Sequence, residues 1–414
     1  MNPSHRVSES EVVATVPTAE TMSRRFSTNE LTPEATHVHH DHTSEAAPPT
    51  SALRDFHPGW YGAVMGTAVI AIVAMQNPGG FTGLAASTRV IAQVITILSI
   101  VLAIGLLVPY LARIVWHFDA SAATLRDPVQ GGLYGTLPGG ILVIAATMAV
   151  VGPTWFAPNT VRSIVAALDW VGVPTALAIS IVFAYLLFVH PSVNIEVVNG
   201  SWFIPPVVNV IVPLVILPLM PGSSPATARA LLFMSYAFWG VGFVLYVMIL
   251  AMLFQRLIVH PLPHAALAPS LWIGLGPIGV GTVTLVKMAA AGAALYGPVD
   301  PSIEVFANLF ATALWGFGAW WLIAATILLV RYLRTGPLPF GIGWWAFTFP
   351  LGAYTTATLV LAQSWDLSAL RWFGAGLAVV LALFWLAVTA RTIVALTVRS
   401  RRATLRVPSL PRGG

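Results

Sequence analysis

The chain of 414 residues has no cysteine and a single lysine, and charged residues make up only 8% of it. The absence of cysteine excludes disulfides, thiol chemistry and cysteine-ligated metal sites. Soluble domains carry roughly 25% charged residues, so the low charge and a mean hydropathy of +0.82 predict a membrane protein with many spans. We interpret the formal net charge of +5 as arginine in cytoplasmic loops, and expect no nucleic acid as a partner.

The two ends of the chain differ in composition from its middle. Residues 1–54 are polar, which predicts a disordered cytoplasmic tail. Residues 399–414 are predicted to be a basic cytoplasmic tail, and residues 55–398 the transmembrane transporter domain. The first tail contains a histidine-rich tract: His37, His39, His40, Asp41 and His42. Such a tract can bind Zn²⁺, but ligands without a fold are poorly preorganised, so we predict no metal site and no cofactor.

Ten apolar runs are long enough to cross a bilayer, near residues 58–76, 88–111, 137–156, 173–190, 203–220, 230–255, 270–292, 305–330, 340–362 and 372–397. An even number of spans places both termini on one side of the membrane. If that side is the cytoplasm, its loops hold eight arginines and the opposite loops four, as the excess of positive charge in cytoplasmic loops requires. We therefore expect a multi-pass protein of the cell membrane with both termini in the cytoplasm.

The spans alternate in composition along the chain. The odd-numbered spans contain many glycines and prolines, as in WFIPPVVNVIVPLVILP of the fifth, whereas the even-numbered spans are expected to be regular helices without interior proline. This alternation predicts one helical hairpin repeated five times. The predicted fold class is therefore all-α, with ten transmembrane helices arranged as five hairpins.

A proline inside a membrane helix leaves a backbone carbonyl unpaired, and that group must face protein or a water-filled cavity. We therefore expect the odd spans to form an inner ring around a central pore, and the even spans an outer ring facing lipid. In the alternative, the small residues serve only tight packing in a solid bundle. The residues predicted to line the pore come from the odd spans: Gly62, Gly66, Thr67, Pro138, Pro205, Asn209, Pro277, Gly281, Thr282, Gly352 and Thr356.

The expected cargo of such a pore is an anion. With cytoplasmic termini, the inner helices all begin at the cytoplasmic mouth, where their macrodipoles attract anions. No Asp or Glu is expected in the middle of a span, and Asp169 is placed near an outer end. Cation-coupled transporters usually carry carboxylates at mid-membrane. Lys287, the only lysine, lies in span seven, where it either attracts anions at the outer vestibule or extends to the head groups as an anchor.

Other classes of function fit these patterns less well. An intramembrane enzyme needs paired ionisable groups at depth, and the spans offer none, so we do not expect an enzyme. A receptor or structural protein would have no use for five alternating hairpins. The histidines of the main body lie near cytoplasmic ends of spans, where a cluster at the inner mouth stays open: His57, His117, His190, His260 and His264.

Span nine contains the sequence WWAFTFPLGAYTTAT, in which rings and helix breakers are crowded together. Residues three, four and seven apart share a helix face, which places Trp345, Phe349, Gly352 and Thr356 together. Pro350 is expected to bend the helix beside Phe349. A Phe ring at a bend can close a narrow pore by dewetting, although the same phase would suit a ring that packs against lipid or another helix.

Several of these segments resemble the tellurite-resistance/dicarboxylate transporter family. WWAFTFPLGAYTTAT is similar to the ninth helix of that family, GWYGAVMGTA to its first, SWFIPPVVN to its fifth and PSLWIGLGPIGVGT to its seventh. The resemblance covers roughly residues 55–398. The family includes tellurite-resistance permeases, malate permeases, sulfite efflux pumps and plant slow anion channels.

The resemblance implies ten helices with quasi-five-fold symmetry around an apolar pore, assembled as a homotrimer. It also implies that a phenylalanine of the ninth helix closes the pore, with Phe349 as the better match and Phe347 as the weaker one. The implied function is transport of a small anion, a C4-dicarboxylate such as malate or a related oxyanion, with sulfite or tellurite efflux as the alternative. Which anion passes, and whether the protein is a channel or a proton-coupled carrier, stays open.

Overall fold

The computed structural model describes residues 52–297 and 302–404 of the chain. The predicted N-terminal tail up to residue 51, with its histidine tract, lies outside the described residues, as do Asp300 and residues 405–414. The last helix continues through Thr404, beyond the boundary at residue 398 that the sequence predicts for the transmembrane domain.

The described residues form α-helices joined by short 3₁₀ segments and loops, which confirms the all-α prediction. In chain order the α-helices are α1 (Tyr61–Met75), α2 (Ala85–Trp116), α3 (Phe118–Arg126), α4 (Thr136–Val151), α5 (Pro158–Phe188), α6 (Ile204–Ile216), α7 (Pro225–Val259), α8 (Leu275–Tyr296), α9 (Ser302–Thr335), α10 (Phe349–Ser364) and α11 (Ser368–Thr404). Helix α3 is a short connector between α2 and α4.

Nine helical segments of the described chain are long and apolar enough to cross a membrane. The exception among the predicted spans is the ninth, residues 340–362. There a 3₁₀ segment, Ile342–Phe347, precedes α10, which has only 16 residues. The prediction of a helical membrane protein with many spans is confirmed, and the count of ten spans stays a prediction.

Each odd-numbered span opens with a 3₁₀ segment that leads into its α-helix: Pro58–Trp60, Gly131–Gly135, Gly200–Phe203, Ala265–Gly274 and Ile342–Phe347. The 3₁₀-helix is tighter than the α-helix and is used in short pieces at α-helix ends. The glycines and prolines of the odd spans therefore mark a change of helix type near the start of the span. We call α1, α4, α6, α8 and α10 the inner helices, and α2, α5, α7, α9 and α11 the outer helices.

Burial separates the inner helices from the outer helices. In the most apolar window of each span, 50% to 78% of residues are buried for α1, α4, α6 and α8, against 22% for each outer helix. In α10 every residue from Phe349 to Leu359 is buried. The outer helices therefore present the apolar surface that suits lipid, and the inner helices are enclosed by protein.

The contacts among the helices describe two rings. Each inner helix contacts the next inner helix in chain order, and α10 contacts α1, so the five close on themselves. Each outer helix packs against the inner helix that directly precedes it. This is the expected arrangement of hairpins in an inner and an outer ring, while the quasi-five-fold symmetry stays a prediction.

The expectation that outer helices lack interior proline is wrong at two positions. Pro109 lies inside α2 and Pro174 lies inside α5, and both helices continue through them. Beside the second proline, the Thr175 hydroxyl donates to the carbonyl oxygen of Val171, four residues earlier, at 2.6 Å, which is a bond within the same helix. Proline alone therefore does not distinguish an inner helix from an outer one.

Candidate functional site

The inner ring encloses a cavity at the N-terminal ends of its five helices, which we call the entry cavity. Its volume is about 270 Å³. Every inner span contributes two residues three positions apart, so that both lie on one helix face. These pairs are Gly62 and Met65, Leu133 and Thr136, Ile204 and Val207, Ile273 and Gly276, and Ala346 and Phe349.

A second, smaller cavity lies further along the same five helices, and we call it the axial cavity. Its volume is about 40 Å³. The same three-residue spacing recurs, and four of the pairs lie seven residues, about two turns, beyond those of the entry cavity, while the α4 pair lies ten residues beyond. The pairs are Val69 and Ile72, Val143 and Ala146, Ile211 and Leu214, Val280 and Val283, and Ala353 and Thr356.

Phe349 lines both cavities and therefore lies at their boundary. Its side chain is 7% exposed. The ring reaches toward α8, because a Cβ atom built at Gly276 would lie 3.7 Å from Phe349 Cε1 and 3.6 Å from Val207 Cγ2. The Phe349 ring therefore packs beside Gly276 of the neighbouring inner helix at ordinary van der Waals distance.

The weaker candidate, Phe347, occupies a different environment. Its ring centroid lies 5.4 Å from that of Trp272 and 5.3 Å from that of Phe384. These contacts place Phe347 in an aromatic cluster with Trp272 and Phe384. Phe347 lines neither cavity. The structure therefore separates the two phenylalanines that the sequence leaves as alternatives.

The break in span nine sets the position of Phe349. The 3₁₀ segment ends at Phe347, and α10 begins at Phe349 with Pro350 in its first turn. A proline is tolerated there because the first backbone N–H groups of a helix have no partner in the helix. The Thr348 hydroxyl donates to the Trp345 carbonyl oxygen at 2.7 Å, which holds the junction. The expected bend beside Phe349 is thus a change from 3₁₀ to α.

The described lining of both cavities contains no Asp, Glu, Lys or Arg. The entry cavity has a few polar side chains, but several hydroxyls there already donate to backbone carbonyls. Thr136 donates to the Pro58 oxygen at 2.9 Å, and Ser201 to the Val129 oxygen at 2.9 Å. The path through the inner ring is therefore mostly apolar and carries no fixed charge on its walls.

His57 lies just before the first span and lines the entry cavity. Its Nδ1 accepts a hydrogen bond from the Gly59 N–H at 3.0 Å. Burial and, to a smaller extent, the positive charge of Arg113 lower the pKa of His57 to about 4, while a hydrogen bond with the Gln130 side chain acts in the opposite direction. The imidazole is thus neutral at neutral pH and gives the cavity no charge.

Of the small and polar residues predicted to line the pore, Gly62 lies at the entry cavity and Thr356 at the axial cavity. Gly66, Gly281 and Gly352 lie instead in contacts between helices. At Gly66, an added Cβ atom would overlap the Thr348 hydroxyl. At Gly352 it would lie 2.5 Å from Val69 Cγ1, and at Gly281 it would lie 3.3 Å from Leu314 Cδ2. These glycines permit close packing rather than forming the cavity walls.

The remaining residues that the sequence predicts to line the pore are buried, and they line neither cavity. Thr67 donates to the Ala63 carbonyl oxygen at 2.7 Å, Asn209 Nδ2 to the Pro205 oxygen at 2.9 Å, and Thr282 to the Ala311 oxygen at 3.5 Å. The inner-helix prolines of this set are also buried and line neither cavity: Pro138, Pro205 and Pro277. Their shared role in the structure is packing between helices.

Two charged residues, Lys287 and Asp169, lie inside long apolar helices and line neither cavity. Lys287 is exposed on α8 and lines neither cavity. Asp169 is the twelfth residue of α5, is 8% exposed, and has no hydrogen-bond partner for its carboxylate among the described residues. The placement of Asp169 near a span end is therefore wrong, because the helix begins at Pro158, well before the apolar run.

The histidines of the main body do not form a metal site in the described part of the chain, where no three His, Asp or Glu side chains come together. His57 faces the entry cavity, while His260 Nδ1 lies 3.2 Å from Glu196 Oε1.

The lining residues Met65, Val207 and Gly276 were missed by the sequence analysis. Their signal is the three-residue spacing that recurs in all five odd spans.

A closed ring of membrane helices around successive apolar cavities defines the chain as a polytopic membrane protein. The family of voltage-dependent anion channels, SLAC1, matches residues 55–393. The chain belongs to this family of anion transporters, which confirms the resemblance found in its sequence.

Individual relatives agree with that assignment. An uncharacterised transporter of Methanocaldococcus jannaschii is 31% identical over 340 residues, covering 80% of this chain and 91% of the relative. The sulfite efflux pump of Trichophyton rubrum is 29% identical, covering 83% of this chain and 91% of the pump. The malic acid transport protein of Schizosaccharomyces pombe is 22% identical, covering 82% and 78%.

Proposed function

We propose that small anions pass along the axis of the inner ring and that the Phe349 ring is the gate. The observation that carries this proposal is the position of Phe349 at the boundary of the entry and axial cavities. An apolar ring across a narrow path excludes water and blocks ions without needing charge.

Anion selectivity in this proposal comes from the helix ends and not from charged side chains. The five inner helices all point their N-terminal ends at the entry cavity, and a helix N-terminus carries about half a positive charge. The excess of arginine in the loops on the same side supports an orientation with both termini in the cytoplasm of a cell-membrane protein. Assembly as a homotrimer is a further prediction, tested by the native mass of the purified protein in detergent.

For the substrate, we favour a sulfite-like oxyanion over the C4-dicarboxylate that leads the sequence-based expectation. The axial cavity is much smaller than the entry cavity, about 40 Å³ against 270 Å³, which favours a compact anion. The sulfite efflux pump is also more similar to this chain than the malic acid transport protein is. The entry cavity alone is roomy enough to keep malate as the second candidate.

The gate is tested with Phe349→Ala in reconstituted liposomes. We expect anion flux to rise roughly tenfold or more, since lowering a barrier by about 1.4 kcal/mol changes a rate tenfold. Phe347→Ala is the matched control, because it removes the same ring two residues away in the aromatic cluster. If Phe349→Ala leaves flux at the wild-type value, the gate is not at this residue.

The substrate is tested with an uptake panel of sulfite, malate, tellurite, nitrate and chloride, each with and without a pH gradient. We expect sulfite uptake to exceed malate uptake. Faster malate uptake would restore the dicarboxylate as the substrate class. Stimulation by the pH gradient would indicate proton coupling, and its absence would indicate a channel.

A further inference from the structure

The axial cavity contains one polar side chain, that of Thr356. On the other four inner helices, the residue at the same place in the lining pair is Ile72, Ala146, Leu214 or Val283. An ion that has lost part of its hydration shell needs a hydrogen-bond partner, because transfer of a charge to apolar surroundings is costly. Among the described lining residues of this cavity, only Thr356 provides a side-chain donor.

The Thr356 hydroxyl differs from the other buried threonine hydroxyls of the inner helices. Thr355 donates to the Leu351 carbonyl oxygen at 2.8 Å, and Thr358 to the Tyr354 oxygen at 2.8 Å. Thr147 and Thr284 likewise donate to the carbonyl four residues earlier. Such bonds are the usual way for a helical threonine to satisfy its hydroxyl.

Thr356 Oγ1 is buried and has no hydrogen-bond partner among the described residues. The residue is 9% exposed and lines the axial cavity, but Oγ1 itself is shielded, so the side chain has to turn for its hydroxyl to reach the cavity. A buried hydroxyl without a hydrogen-bond partner destabilises the folded protein, so such hydroxyls are rare in native structures and often have a function. A passing anion that accepts a hydrogen bond would supply the missing partner.

We propose that Thr356 is the contact that a partly dehydrated, singly charged small anion makes beyond Phe349, and that it sets the rate and selectivity of passage. This inference rests on the proposed path along the inner ring. The hydroxyl donates to the anion at the point where the walls are otherwise apolar. It acts on substrate directly, whereas Phe349 acts by closing the path.

The charge of the permeating species follows from the lining. No Lys or Arg is among the described residues around either cavity. The cost of moving an ion into a low-dielectric region rises with the square of its charge, so a dianion pays about four times as much as a monoanion of equal size. One hydroxyl cannot offset that difference, so a singly charged species such as hydrogen sulfite or singly protonated malate passes and the dianion is excluded.

The test uses the full-length protein in liposomes with nitrate, chloride and sulfate as probes. Thr356→Val removes the hydroxyl with almost no change in shape, and Thr356→Ser retains it. Thr355→Val is the matched control, because Thr355 is the adjacent residue, is also buried, and already donates its hydroxyl to the Leu351 carbonyl oxygen. We expect Thr356→Val to lower nitrate and chloride flux roughly tenfold, the effect of one hydrogen bond to a charged group, while Thr356→Ser and Thr355→Val stay near wild type.

The opposing outcomes are distinct. Nitrate flux in Thr356→Val equal to or above that in Thr355→Val overturns the contact, and would mean that the hydroxyl bonds only to its own helix. Sulfate flux equal to nitrate flux overturns the assignment of a singly charged anion. If the proposed function itself is wrong, wild type, Phe349→Ala and Thr355→Val all show the anion flux of protein-free liposomes. The Thr356 contact is then overturned as well, because it rests on the proposed path.

Discussion

Four of the five inner spans and all five outer helices are long and apolar enough to cross a membrane, yet the two sets differ in burial and in helix type. The α4 span is 78% buried in its most apolar window, whereas α9 is 22% buried in its own. The inner spans begin as 3₁₀ segments and the outer spans run as long α-helices of 31 residues or more. Apolar composition therefore indicates insertion into the membrane, and the small residues indicate which helices form the inner ring.

Glycine illustrates the difference between the two rings. A Cβ atom at Gly279 of α8 would overlap the Ala353 backbone of α10, so two inner helices meet backbone to backbone. At Gly316 of α9, nothing lies within 4 Å of the same position. The first glycine is required by packing, and the second is not.

Gly279→Ala tests the inner ring and has the largest expected effect on stability. The methyl group has to push the Ala353 backbone away, and overpacking of this kind costs about 1–3 kcal/mol. Thermal unfolding of the purified protein in detergent should show a clear fall in the unfolding midpoint. An unchanged midpoint would mean that α8 and α10 do not approach this closely.

His57→Asn sharpens the comparison at the point where an inner span begins. The folded protein holds the pKa of His57 near 4, below its usual 6.5, so the unfolded chain binds the proton first. Stability is therefore full above about pH 6.5 and is lost as the pH falls toward 4. Asparagine does not titrate, and its side-chain oxygen can also accept the hydrogen bond from the Gly59 N–H.

The measurement is the unfolding midpoint of wild type and His57→Asn across that pH range. We expect the variant to lose less stability than wild type between pH 6.5 and 4. Parallel curves for the two proteins would count against a buried neutral imidazole at the entry cavity.

Gly316→Ala has the smallest expected effect and the opposite sign. Alanine is favoured over glycine inside a helix by up to about 1 kcal/mol, and the site on α9 is open. The unfolding midpoint should stay the same or rise slightly. A fall as large as that of Gly279→Ala would show that the outer helix is packed against a neighbour there.

The sequence predicted much of the fold because bilayer thickness and helix geometry leave few choices. The span positions and the alternation of breaker-rich and regular helices could be read from local patterns, whereas Phe349 as the better gate candidate came from the family resemblance and stays a prediction. Helix spacing also placed Trp345, Phe349, Gly352 and Thr356 on one face, and all of them except Gly352 line a cavity. Gly352 lies at the edge of that face and packs on Val69.

Other errors share a physical cause. Asp169 and Pro174 were misjudged because the apolar run of the fourth span is shorter than the helix that contains it. Thr67 and Asn209 were chosen for their polarity, but their side chains donate to carbonyls four residues earlier. Polarity alone does not reveal whether a hydroxyl or amide is bonded within its own helix.

The sequence by itself determined that the chain is an all-helical membrane protein with alternating helix types, because hydropathy and helix breakers act locally along the chain. Only the tertiary structure decided which residues face the axis. That choice depends on the rotation of each inner helix against its two neighbours, which is set by contacts such as Gly279 with Ala353. The same contacts leave Phe349 between the cavities and the Thr356 hydroxyl without a partner among the described residues.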